Sequence, residues 1–195
     1  MNFKSVIVAA ALAASALPAM ATTVTVYTDK AAWLSAVGGA PVQTEDFSDN
    51  TLVSGLTITT STGNIGDGVL HDLVAPSLST TFDYTPNLIG LGGNFDLSPG
   101  GPGVGLQLTL LNGSSLNFTV PTEIDPNYTG QFFGIVSSDA FSSLRLSSGT
   151  HQASAETYNL DNLVLAAVPE PETYAMLLAG LGLVAVAKRR KAKAA

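Results

Sequence analysis

The sequence predicts an all-β fold, an antiparallel β-sandwich with one short helix near its start. Three observations lead there. Between Thr22 and Ala167, 35 Ser and Thr and 17 Gly fall within 146 residues, a composition that disfavours long helices and suits short strands with many turns. Apolar residues recur there with period two: Val104, Leu106, Leu108 and Leu110 share one face, and Leu116, Phe118 and Val120 share another. Turn signals separate such runs at the spacing of a sandwich. A stretch this long buries well over half of its unfolded surface, so it forms one domain with a core.

Taken in order, Thr23 to Tyr27 alternates, with Val24 and Val26 on one face of a first strand. Thr28-Asp29 then caps a helix over Lys30 to Val37, which Gly38-Gly39 ends. Ala31, Trp33, Leu34 and Val37 are its buried candidates, and the lone Trp33 is read as packing under a sheet. Leu56 and Ile58 alternate with Thr57 and Thr59 as a further strand. Gly63 to Gly68 and Pro99 to Gly103 are loops by composition, and His71-Asp72 is placed in a solvated loop beside the first. Asn112-Gly113-Ser114 joins the two apolar runs as a hairpin, because this turn tolerates positive φ. Phe132 to Val136, Phe141 to Leu146 and Asn162 to Val168 supply the remaining strands. No repeat with a period of 20–50 residues is present.

Both ends read as addresses. Lys4, the apolar run Ser5 to Leu17 and the small-x-small Ala19-Met20-Ala21 form a secretory signal peptide over residues 1–21. Ala19 and Ala21 are the small residues just before the cut, so signal peptidase leaves Thr22 as the mature N-terminus. The domain then spans 22–167, and a linker at 168–173 holds Pro169-Glu170-Pro171. Residues 174–187 form an apolar transmembrane helix of 14 residues, about 21 Å against roughly 30 Å of hydrocarbon. A span that short is a marginal permanent anchor. The basic tail 188–195, with Lys188-Arg189-Arg190-Lys191, stays in the cytoplasm and leaves the domain outside.

These parts in this order resemble the PEP-CTERM sorting signal. Pro169, Glu170 and Pro171 occupy its motif, Tyr174 to Ala187 its helix and Lys188 to Lys191 its basic end. The resemblance implies processing by a membrane-embedded exosortase in a Gram-negative exopolysaccharide producer, with a cell-surface or extracellular-matrix destination. Ala31-Ala32-Trp33-Leu34, Glu45-Asp46-Phe47, Phe133-Gly134-Ile135 and Leu160-Asp161-Asn162-Leu163 are similar to phrases of the ectodomains that precede this tail. Those domains are jelly-roll-like or carbohydrate-binding-like sandwiches.

Charge and residue types narrow the function. The domain has two basic residues, Lys30 and Arg145, against 13 Asp and Glu, a net charge of about −11. Such a surface repels phosphate backbones, which excludes nucleic acid as a partner. The absence of cysteine excludes disulfides, thiolate zinc sites, iron–sulfur clusters and thiol catalysis. His71 and His151 stand 80 residues apart without ligand spacing, and no Gly-x-Ser-x-Gly elbow occurs. Gly101-Pro102-Gly103-Val104-Gly105 lacks the phosphate-loop pattern, and the sequons at Asn112, Asn117 and Asn127 carry little meaning in bacterial export.

Carboxylates remain. Jelly-roll modules of the carbohydrate-binding kind share a calcium ion between an early-strand acid and an Asp near the last strand. The resemblance assigns those places to Glu45 or Asp46 and to Asp161, and a divalent ion would offset local repulsion in so acidic a domain. The alternative is structural: Asp161 caps a turn and Asn162 bonds the neighbouring loop. The expected function is an exported, sorting-tagged, non-enzymatic protein of the envelope or exopolysaccharide matrix. Its partners are signal peptidase, the exosortase, the membrane and exopolysaccharide. One alternative is a carbohydrate-binding module using exposed Tyr84, Tyr128 or Tyr158; another is a secreted hydrolase working through paired carboxylates.

Overall fold

The computed structural model describes residues 21–101, 103–113, 116–168 and Gly180. The signal peptide up to Met20, Pro169-Glu170-Pro171 and the tail read as membrane-spanning lie outside the described residues. The chain runs β1 (Val24–Tyr27), α1 (Lys30–Ala36), β2 (Val42–Glu45), β3 (Leu56–Thr59), β4 (Asn64–Gly66) and β5 (Val69–Val74). It continues through β6 (Thr80–Asp96), β7 (Leu106–Asn112), β8 (Leu116–Thr119), β9 (Thr129–Ser148) and β10 (Glu156–Ala167). Every strand pair is antiparallel.

Two long strands build both layers of the sandwich. β6 and β9 pair along most of their length, but the register breaks between Asp83 and Leu88 and again before Gly90. Pro86 sits at that break, where it has no N–H to give to a ladder. On one side of it the order is β3-β6-β9-β7-β8; on the other, β10-β6-β9-β1, with β5 and β2 end to end along the far edge of β10. Strands that change sheet at a bend are one way a sandwich closes its corners. Phe82, Leu108, Leu144 and Leu146 of the first layer and Leu91, Phe95, Ile135 and Leu165 of the second belong to one buried cluster.

A bend also reverses which residues face inward. In β10, Glu156, Tyr158 and Leu160 are buried, and then Leu163, Leu165 and Ala167. Alternation in steps of two cannot link Leu160 to Leu163. A β-bulge does, at the register shift after Asp161, where Asn162 has φ 49°.

The helix lies on the outer face of the second layer, where Trp33 and Val37 pack with Phe132, Val164 and Ala166. Asp29 caps it by accepting the Ala32 N–H at 2.7 Å, and Gly38 and Gly39 end it with φ of 62° and 82°. Trp33 is fully buried and donates its indole N–H to the Ile135 carbonyl at 2.9 Å. The expected burial of Ala31 and Leu34 is corrected: both are exposed, because a helix of seven residues resting on a flat sheet presents only a narrow i, i+4 stripe.

Other expectations are corrected by pairing at a distance. Gly63 to Gly68 is not a simple loop: β4 and β5 form a hairpin turning at Asp67-Gly68, both with positive φ. His71-Asp72 lies inside β5 and pairs with Asn159 and Tyr158 of β10. The separate strands at Phe132 to Val136 and Phe141 to Leu146 are parts of β9, and β6 and β2 join the sheet without having been read as strands.

Candidate functional site

The sorting motif begins where the sheet ends. Ala167 donates its N–H to the Pro41 carbonyl at 2.9 Å, and Val168 donates to Asn87 at 2.8 Å. Pro169 follows directly, so no slack chain separates β10 from the motif. At the other end, Ala21 is exposed and the first contacts with the domain start at Thr22. Thr22 Oγ1 donates to Asp139 and the Thr23 N–H to Ser138 Oγ. Ala19 lies outside the described residues.

Glu45, Asp46 and Asp161 each have local work. Glu45 ends β2 and is buried; one oxygen accepts the Phe47 N–H and the other the Val53 N–H, each at 2.7 Å. Those bonds hold the turn after β2, where Phe47 has φ 52° and its ring fills the core. Asp46 points to solvent, and hydrogen bonds from Ser48, its side chain first and then its backbone, hold the carboxyl below its ordinary value. Asp161 accepts the N–H and the side-chain amide of Asn162, which fastens the bulge. Glu45 pairs with Leu163, two residues beyond Asp161; no group of three or more His, Cys, Asp or Glu that could hold a metal ion occurs among the described residues.

Of the tyrosines expected on a sugar-stacking face, two are inside and Tyr128 is half-buried. Tyr84 and Tyr158 are buried, and Tyr128 packs edge-on to Phe133 with ring centroids 6.2 Å apart. The large apolar side chains exposed among the described residues are Leu34 and Val42, neither aromatic. A stacking platform of the kind envisaged therefore does not form from these three residues.

Two buried carboxylates went unrecognised in the sequence. Asp72 of β5 faces inward and accepts from the Thr62 hydroxyl and the Leu73 N–H, both at 2.8 Å, and from the Thr80 hydroxyl. Tyr158 completes the chain by donating to Thr80 Oγ1 at 2.6 Å; burial drives its phenol far above the usual range, so it stays protonated. Glu156 is fully buried. Its Oε2 accepts the Gly105 N–H at 2.6 Å, while Oε1 has no partner. Burial raises the Glu156 pKa; the Gly105 bond and the His151 charge oppose it more weakly. A Cβ at Gly103 would sit 2.3 Å from the Glu156 carboxylate, so any larger residue there would have to displace that side chain. Alternation along β5 and β10 was the one available signal, since Asp72 and Glu156 sit in phase with Leu70, Val74, Tyr158 and Leu160.

Comparison with known proteins adds one functional fact. Residues 167–191 match the model of the PEP-CTERM protein-sorting motif, which implies an exported chain with a membrane-anchoring C-terminus and exosortase processing. Among the described residues, no helix is long and apolar enough to cross a membrane. No protein of curated function matches the sequence. Among solved structures, a family 29 carbohydrate-binding module aligns at 13% identity and TM-score 0.49, over 65% of this chain and 88% of the module. A second family 29 module, from Piromyces equi, aligns at 9% identity and TM-score 0.49, over 67% and 92%.

Proposed function

We propose that this chain is a non-enzymatic β-sandwich protein of the cell envelope or exopolysaccharide matrix, exported through its signal peptide and delivered by its sorting motif. The observation that carries the reading is the motif match at residues 167–191, which starts at the last residue of β10. The rigid domain leads straight into the processing signal, and the exosortase meets a folded ectodomain at the membrane surface. The use of the buried carboxylates supports the non-enzymatic part. Asp72 and Glu156 are spent on hydroxyl and amide hydrogen bonds within the fold, and the open depression that Asp72 lines with Thr62, Asn64, His71, Leu73 and Thr157 holds no second acid to flank a glycosidic bond.

The test is release. With Pro169, Glu170 and Pro171 replaced by alanines, the protein should stay in the inner-membrane fraction, while wild type reaches the surface or medium with Thr22 as its N-terminus by mass spectrometry. Equal release of the two proteins would overturn the reading.

A further inference from the structure

The outer face of the β3-β6-β9-β7-β8 layer carries the one arginine of the domain. Arg145 of β9 stands in register between Thr81 of β6 and Thr109 of β7, and its side chain is exposed. Although 13 carboxylates share the domain, the only ion pair among the described residues is His151 with Glu123. Arg145 therefore has no carboxylate within ion-pair distance among the described residues. Beside it opens a cavity of about 460 Å³, lined by Arg145 and Ser147 on β9 and by the turn that carries Pro76, Ser77 and Ser79. That turn is braced by two backbone bonds between Ala75 and Leu78, at 3.2 and 2.9 Å.

We propose that this cavity binds a carboxylated sugar unit of a mostly neutral saccharide. The guanidinium takes the carboxylate, and the hydroxyls of Ser77, Ser79 and Ser147 meet the sugar hydroxyls. Each component selects for that chemistry. A guanidinium offers a planar fork of donors that matches a carboxylate and keeps its charge at every physiological pH. Serine hydroxyls both donate and accept, as sugar hydroxyls do. The lining contains no aromatic ring, so recognition rests on polar contacts rather than on stacking against a pyranose face. The surrounding field sets the charge density of the ligand. A domain near −11 repels a polymer that is charged at every unit, and a single carboxylate among neutral sugars escapes most of that repulsion.

The inference deepens the matrix part of the function proposed above. Its test uses purified protein, so a failure of sorting and a failure of binding are read separately. The full chain in detergent micelles is titrated with glucuronosyl-xylose and with the same disaccharide after reduction of its carboxyl group. Saturable binding of the acidic form alone is expected. Arg145→Gln should weaken it at least about tenfold, the loss of a charge-assisted bidentate contact, with an unchanged melting temperature because the residue is exposed. Arg145→Lys should keep part of the affinity, and Lys30→Gln, which removes the other cation of the domain, all of it. Binding that survives in Arg145→Gln, or no binding by wild type, overturns the proposal. So does equal loss in Lys30→Gln, which means diffuse charge, or competition by acetate at equal concentration, which means a bare anion site.

Discussion

Glu156 illustrates what one residue can cost the fold it belongs to. Its carboxyl is buried with a single hydrogen bond to one oxygen and none to the other, and burial raises its pKa. The folded chain therefore holds this proton more tightly than the unfolded chain. The stabilisation it brings is complete below the unfolded pKa and is lost as pH rises through the folded one. Glu156→Gln keeps the acceptor for Gly105 and removes the charge. At neutral pH this variant should be more stable than wild type by about 1 kcal/mol. In urea melts the advantage should shrink as pH falls toward the carboxylate range; an advantage independent of pH would contradict the argument. Asp161 is the opposite case, a carboxylate with both oxygens engaged by Asn162 at the point where β10 changes its inward face.

The fit of α1 on its sheet is the clearest case at the scale of an element. The helix has a capping Asp29 and a glycine stop, both legible in the sequence, but seven residues cannot form a stable helix alone. Packing decides it. A Cβ at Gly134 would sit 2.7 Å from Cδ1 of Trp33 and 2.8 Å from the Phe132 ring, so the indole rests where a strand side chain would otherwise stand. Gly134→Ala should cost about 1–3 kcal/mol by overpacking. Because Trp33 is the only tryptophan, its emission reports the change directly. A destabilised variant with red-shifted fluorescence is expected, and a silent substitution would mean that the sheet yields freely. The alternation of β7 and β8 and the Asn112-Gly113-Ser114 turn were readable because both strands and their turn are contiguous in the chain. β6 was not, and β9 was readable only as two separate strands, since each reverses its inward face at a bend that only its partner strands explain.

For the molecule as a whole, charge is the dominant feature. A domain near −11 gains stability from any screening cation. Glu45, Asp46 and Asp161 are spoken for by backbone and side-chain donors. Millimolar Ca²⁺ should therefore raise the melting temperature of wild type and of Asp161→Ala by the same small increment relative to EDTA. An increment that Asp161→Ala loses would instead establish an ion shared through that residue. The acidic surface also gives Arg145 its meaning, because one of only two basic residues in such a field stands at the rim of an open cavity.

The sequence by itself determined the all-β class, the helix and its caps, the β7–β8 hairpin and the sorting motif at the C-terminus. All of these rest on local patterns: alternation, turn chemistry, capping residues and a motif contiguous in the chain. Only the tertiary structure decided which carboxylates are buried, which tyrosines are lost to the core and which arginine faces an open cavity. Asp72 lies beside Thr80 and Tyr158, and Glu156 beside Gly105, through contacts that span up to 86 residues of chain. A bulge or a bend shifts the inward phase by one residue, and a single such shift exchanges core for surface along the rest of a strand.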